Sequence, residues 1–248
     1  MIRWGLGWRL VDGSWVFSRV RDVAFDVRDS FSHRRFAQHY RMVRPYTLCG
    51  NARLRGLYQA IQDVVDRKIP GDVVECGTAR GGSAALMGLV LKDLAPQRTL
   101  WIFDTFEGLP QPTEADPDWT ATRYTGKCRA DVQEVSALFD RLGASPNYRL
   151  VKGLFQQTLP TCEVGPIALL HLDCDWYESM KTCLEQLFDR VSPGGIIQID
   201  DYGHWAGARK AVDEFFRNRS MGIQLRWIDY TGRQLVKPGE MRSPDMEQ

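Results

Sequence analysis

Two short apolar runs that each end in paired aspartates constrain this chain more than any other feature. Residues 166–172 lead into Asp173-Cys174-Asp175, and residues 195–199 lead into Asp200-Asp201. Both runs are rich in β-formers and bounded by Pro or Gly, as expected of buried parallel strands. In an open α/β sheet the carboxyl ends of the strands form the ligand crevice. Four carboxylates gathered there repel one another unless a cation lies among them. A hard, oxygen-preferring ion such as Mg2+ fits such a donor set.

The remaining elements supply the rest of that sheet. Leu54, Leu57, Tyr58, Ile61 and Val64 recur at helical spacing over residues 51–67, and Pro70-Gly71 ends the segment. A strand over 72–76 then runs through Glu75 into the glycine-rich turn Gly77-Thr78-Ala79-Arg80-Gly81-Gly82-Ser83, and a helix follows over 84–94. This turn is not G-x-G-x-x-G. An acid at the strand end opposes a pyrophosphate but suits a cationic ligand such as the amino group of a bound amino acid. That combination favours S-adenosylmethionine over a nicotinamide or a nucleoside triphosphate. A second strand over 99–103 ends in Asp104, placed as the acid that commonly receives ribose hydroxyls.

After Asp104, Gly108-Leu109-Pro110 and the chain to about residue 127 show no periodicity, a length that suggests a functional insertion. A helix over 132–142 and a strand over 148–151 follow, with Lys152-Gly153 marking another strand exit into the crevice. The second aspartate pair is flanked by predicted helices over 178–187 and 208–216. Ser192-Pro193-Gly194-Gly195 reads as the turn into the strand before Asp200. Strand-like pieces over 224–230 and 234–236 meet at Thr231-Gly232 like a hairpin, so the αβ alternation ends antiparallel.

The length of 248 residues suits one α/β domain with an appendage. No apolar run approaches the roughly 20 residues that cross a bilayer. Residues 1–4 are not followed by a secretory apolar core, so a cytoplasmic protein without a membrane partner is expected. Cys49, Cys76, Cys128, Cys162, Cys174 and Cys183 show no zinc spacing and read as reduced, packed thiols. Residues 1–55 hold eleven Arg against four Asp, although the whole chain carries only +1. These arginines are scattered among Trp, Phe and Val, which argues against a nucleic-acid partner and for a lid, an oligomer contact or an anionic partner. Trp4, Trp8, Trp15, Phe17, Phe25, Phe31 and Phe36 are too many aromatics for a disordered tail. The expected organisation is a basic, aromatic-rich arm or lid over 1–43, a catalytic-type domain over 44–238 and a flexible tail over 239–248.

Read together, several stretches carry a family resemblance. They are Pro45-Tyr46-Thr47, Ile69 to Gly77, Phe103-Asp104-Thr105-Phe106-Glu107-Gly108-Leu109-Pro110, Leu172 to Ser179, Pro193-Gly194-Gly195, Asp200-Asp201-Tyr202-Gly203 and Ala211 to Phe216. Over residues 44–237 the chain resembles the macrocin O-methyltransferase family, which methylates sugar hydroxyls of glycosylated natural products with S-adenosylmethionine and Mg2+. The resemblance implies the class I methyltransferase fold: a seven-stranded, mostly parallel, Rossmann-like sheet with one antiparallel strand and helices on both faces. It implies Asp173, Asp200 and Asp201 as metal ligands and Asp175 as the general base. Glu75, Gly77, Ser83 and Asp104 fall in the implied cofactor pocket, with Tyr46 and Thr47 closing over it and Gly153 at its edge. The implied partners are a small-molecule glycoside acceptor and a second copy of the chain in a homodimer or higher oligomer.

A sugar hydroxyl is a poor nucleophile near neutrality, so a metal that stabilises the developing alkoxide and an adjacent proton acceptor are both needed. Asp175, two residues beyond Asp173, is the expected base. His204, which follows in Asp-Asp-Tyr-Gly-His, is its competitor, since imidazole titrates near neutral pH. His171, inside the strand, reads as a core histidine. Two other classes are distinguishable. A nicotinamide-dependent sugar oxidoreductase needs a pyrophosphate-compatible turn and a hydride-relay motif, neither of which the sequence contains. A non-catalytic S-adenosylmethionine-binding protein would not need the acids at both strand ends.

Overall fold

The computed structural model describes residues 34–219 and 221–239. Its helices are α1 (Arg34–Val43), α2 (Asn51–Asp66), α3 (Gly82–Leu94), α4 (Val132–Leu142), the single turn α5 (Phe155–Thr158), α6 (Tyr177–Leu187) and α7 (Ala206–Asn218). Its strands are β1 (Asp72–Cys76), β2 (Leu100–Asp104), β3 (Tyr148–Lys152), β4 (Ile167–Leu172), β5 (Val191–Ile199), β6 (Arg226–Trp227) and β7 (Arg233–Val236). They form one sheet in the order β3-β2-β1-β4-β5-β7-β6. Strands β1 to β5 are parallel, and β7 runs antiparallel to both β5 and β6. The chain winds outward through β1, β2 and β3, then returns to lay β4 on the other side of β1. That reversal opens a crevice above the carboxyl ends of β1 and β4.

Because side chains alternate across a strand, the sheet divides its apolar residues between two cores. Val73, Leu169 and Ile196 pack with Phe36 of α1, Leu54 and Ile61 of α2, Leu86 of α3 and Phe139 of α4. Val74, Leu170, Leu172 and Ile197 pack on the other face with Met180 and Leu184 of α6 and Val212 and Phe215 of α7. The parallel strands are buried on both faces, which is why β4 reads as an almost unbroken apolar run.

Several elements differ from expectation for identifiable reasons. Helix α1 carries no strong signal because arginines crowd it, yet Phe36, Ala37, Tyr40 and Val43 share one buried face. The segment 192–195 belongs to β5 rather than preceding it. A register shift between Ile167 and Leu169 absorbs the irregularity, and Gly194 takes a positive φ of 77°. The predicted strand over 224–230 shrinks to Arg226–Trp227 because Asp229 folds a turn, its Oδ1 accepting the Thr231 and Gly232 N–H groups. Trp4, Trp8, Trp15, Phe17, Phe25 and Phe31, together with residues 240–248, lie outside the described residues. All six cysteines are free thiols. Among the described residues no helix is long and apolar enough to cross a membrane.

Phe36 is only 1 % exposed and anchors α1 to the helices over the sheet, its ring meeting that of Tyr58 of α2 at 5.4 Å. Phe36→Ala is expected to destabilise the protein by about 3 kcal/mol or more, read as a lowered urea midpoint. An unchanged midpoint would show that α1 is not integral to the core.

Candidate active site

A cavity of about 490 Å3 opens above the carboxyl ends of β1, β2 and β4. One side is built by the turn after β1. Gly77 has φ 88°, and a Cβ there would overlap the Asp173 carbonyl, so only glycine lets β1 and β4 approach this closely. The Asp104 carboxylate fixes the same turn: Oδ2 accepts the N–H groups of Thr78 (2.7 Å) and Ala79 (3.2 Å), and Oδ1 accepts that of Phe106 (2.7 Å). Burial pushes the Asp104 pKa up and these backbone donors oppose the rise. Thr47, Gly77, Ser83 and Asp104 all line the cavity, joined by Thr78, Ala79 and the loop over 108–110.

The other side holds the acids, and its floor is a row of buried polar side chains. The strand register sets Glu75 opposite His171 and His171 opposite Gln198. His171 Nδ1 lies 3.0 Å from Glu75 Oε1, and Nε2 lies 3.2 Å from Asp200 Oδ1. Burial alone would lower the imidazole pKa, but Asp200 and Glu75 outweigh it and hold His171 well above its usual value. Arg53 of α2 places Nη1 3.1 Å from Asp200 Oδ2 and Nε 3.2 Å from Asp229 Oδ2. Burial disfavours the Asp200 carboxylate, yet His171 and Arg53 hold its pKa below the usual range.

Among the described residues no cation forms an ion pair with Asp173, Asp175 or Asp201, and Arg53 attracts them only from farther off. Carboxylate oxygens of the three lie within 4.8 Å of one another. Burial first, and then mutual repulsion, pushes all three pKa values up, that of Asp175 to about 8. Asp175 adopts φ 57°, in the left-handed region that a non-glycine residue seldom occupies. Trp205 Nε1–H donates to its Oδ1 at 2.7 Å, and its own N–H donates to Asp201 Oδ2 at 3.0 Å. Cys49 joins Asp173 and Asp200 in a second donor group within the same span, so Asp173 is common to both groups.

Not every residue singled out in the sequence reaches the cavity. Glu75 does not line it: its side chain points to the α2 face of the sheet and is committed to His171. Tyr46 is turned away, its ring lying under the Arg80 and Arg141 guanidinium groups. Gly153 is also outside the wall; its N–H donates to the Asp104 carbonyl, and the next three residues, Leu154, Phe155 and Gln156, do the lining. Asp200 lies beneath the surface with no exposure. His204 stands at the mouth, edge-on to Trp205 at 4.5 Å, with a pKa lowered by partial burial against the opposing charge of Asp118. His171 is a core histidine as expected, but one that bridges two carboxylates. Cys49, Arg53, Cys128 and Trp205 were not predicted as site residues. Only Arg53 had a usable signal, a cation on the otherwise apolar face of α2.

The glycine turn, the acids at successive strand ends and the 3-2-1-4-5-7-6 sheet together define a class I methyltransferase. Residues 18–236 match the family model for macrocin-O-methyltransferase (TylF), and the chain belongs to that family. The match starts well before Pro45, where the recognisable motifs begin. The chain is 35 % identical over 195 residues, 75 % of its length and 74 % of the relative's, to the 8-demethyl-8-(2,3-dimethoxy-alpha-L-rhamnosyl)-tetracenomycin-C 4'-O-methyltransferase of Streptomyces olivaceus. It is 32 % identical to the demethyldecarbamoylnovobiocin O-methyltransferase of Streptomyces niveus, covering 83 % of this chain and 84 % of that one. Among solved structures, the O-methyltransferase NovP superposes with a TM-score of 0.75 at 31 % identity, over 78 % of this chain and 83 % of its own. The calicheamicin methyltransferase CalS11, at 19 % identity and TM-score 0.66 over 95 % of this chain and 99 % of its own, shares the fold. The protein is an O-methyltransferase.

Asp104→Ala removes the acceptor for three backbone N–H groups of the cavity wall. It is expected to cost about 2 kcal/mol or more in urea unfolding, and Asp104→Asn less. Equal losses in the two variants would mean that the backbone bonds are not what Asp104 contributes.

Proposed function

We propose that the chain transfers the methyl group of S-adenosylmethionine to a hydroxyl of a sugar on a glycosylated natural product, using a divalent cation and Asp175 as general base. The observation that carries this reading is the cluster of Asp173, Asp175 and Asp201, three acids within 4.8 Å of one another that form no ion pair among the described residues. Their pKa values are raised by burial and mutual repulsion, so a cation is what would let them ionise together. The residues fit Mg2+: the donors are carboxylate oxygens at two strand ends, with Asp173 and Asp201 on the wall and Asp200 beneath. A bound divalent ion supplies Lewis-acid stabilisation of the developing alkoxide.

The chain's own residues do the remainder. Thr47, Gly77, Ser83 and Asp104 shape the donor half of the cavity, and the turn at Gly77 brings its backbone close to whatever binds there. Asp175, aimed by the Trp205 N–H, would take the hydroxyl proton; bound S-adenosylmethionine would supply the methyl group to the hydroxyl oxygen and leave as S-adenosylhomocysteine. Asp175 is favoured over His204 as base because it is the acid held in a fixed direction, whereas His204 stands at the exposed mouth. Two relatives named for specific positions, a 4'-O-methyltransferase for a rhamnosyl tetracenomycin and a mycinamicin III 3''-O-methyltransferase, support a sugar hydroxyl as acceptor. A homodimer, implied by the family resemblance, is part of the reading and is checked by light scattering.

The test follows S-adenosylhomocysteine release with rhamnosyl glycosides as acceptors. Chelation should abolish turnover and a divalent ion restore it. Asp175→Asn should lower kcat about 100-fold or more while S-adenosylhomocysteine still raises Tm; His204→Ala should lower it much less. Full activity in chelator, or a larger loss from His204→Ala than from Asp175→Asn, would overturn the assignment.

A further inference from the structure

Cys49 occupies an unexpected position for a cavity residue. It precedes Gly50, the N-cap of α2, and its N–H donates to Thr47 Oγ1 at 3.0 Å, which fixes the loop. Its Sγ lies 3.1 Å from Asp200 Oδ2 and 3.6 Å from Asp173 Oδ2. A thiol has one weak donor hydrogen, so it can satisfy only one of these oxygens at a time. The arrangement has the spacing of donors around an ion instead. With metal–sulfur and metal–oxygen distances of about 2.3 and 2.0 Å, tetrahedral donors are separated by about 3.5 Å. Both observed separations fall near that value without any movement of the backbone.

We propose that Cys49 is a sulfur donor to the cation site, alongside Asp173 and Asp200, and that it raises the preference of the site for a borderline ion such as Zn2+ or Co2+ over Mg2+ beyond that of its oxygen donors alone. The three donors come from three separate segments: the loop before α2, the end of β4 and the end of β5. Arg53 shares Asp200 Oδ2, leaving that oxygen a second lone pair for the ion. Sulfur is the softer donor, and replacing an all-oxygen set by one that includes thiolate moves preference from Mg2+ toward Zn2+ and Co2+. On ligation the thiol gives up its proton to solvent. The inference rests on the cation reading above and refines which ion the site prefers.

The probe is Co2+, added to the reduced, chelator-treated full chain with S-adenosylhomocysteine present. Absorbance reads the thiolate-to-cobalt charge-transfer band, and titration calorimetry reads binding independently. Because Cys128 also lines the cavity, Cys49→Ser and Cys128→Ser are compared. The expected result is one equivalent of Co2+ with a charge-transfer band in the wild type and in Cys128→Ser. In Cys49→Ser the band should vanish while Co2+ still binds, and the ratio of Zn2+ to Mg2+ affinity should fall at least ~10-fold. A Tm rise with S-adenosylhomocysteine shows that each variant is folded. Co2+ binding without the band, or a band that survives Cys49→Ser, overturns the sulfur ligand and leaves the oxygen-only cation site standing. No Co2+ or Mg2+ binding by the wild type sinks the cation reading and this inference together.

Discussion

A buried chain of alternating charges, Glu75–His171–Asp200–Arg53–Asp229, is the interaction on which the rest of the site depends. It crosses β1, β4 and β5, passes to α2 and ends in the turn before β7, joining five segments far apart in sequence. Each member sits where an isolated charge would be very costly, so each needs its neighbours. Gln198 adds to it, donating to Asp200 Oδ1 at 2.9 Å and to the Arg53 carbonyl at 3.2 Å. The result is a rigid floor. Asp200 cannot turn away without costing Arg53 and His171 each one of their two carboxylate partners.

That floor also determines which acids are in surplus. Glu75, Asp200 and Asp229 are paired with His171 and Arg53, whereas Asp173, Asp175 and Asp201 form no ion pair among the described residues. All three of the latter line the cavity, as does Asp229 of the paired set, whereas Glu75 and Asp200 do not. Asp175 is held there by a left-handed backbone and by Trp205, which packs edge-on against Trp176 at 4.9 Å. Local strain and aromatic packing thus keep the carboxyl group of Asp175 close to those of Asp173 and Asp201.

Much of this architecture was legible in the sequence because the relevant signals are local. Strand-end acids, the glycine turn and the period of α4 and α6 follow from chain direction and side-chain alternation, and the observed elements lie close to those expected. What could not be read depends on packing between distant segments. Glu75 looked like a cofactor ligand because it stands at a strand end, but strand alternation sends it to the α2 face, where His171 is its register partner. Tyr46 sits in a recognisable motif, yet Arg80 of the glycine turn and Arg141 of α4 lie over its ring, which is turned from the cavity. Cys49 and Arg53 lie more than a hundred residues from the aspartates they approach, and no local pattern pairs them. Helix α1 was obscured by its arginines, although its buried face follows helical spacing.

The central claim is that the strand-end aspartates form a cation site, and it is tested most directly by anomalous diffraction from crystals grown with S-adenosylhomocysteine and Mn2+. The account predicts a single strong Mn2+ peak within ligand distance of Asp173 and of Asp200 or Asp201. S-adenosylhomocysteine bound in the cavity with no metal peak among these acids, or with the peak elsewhere, would contradict it.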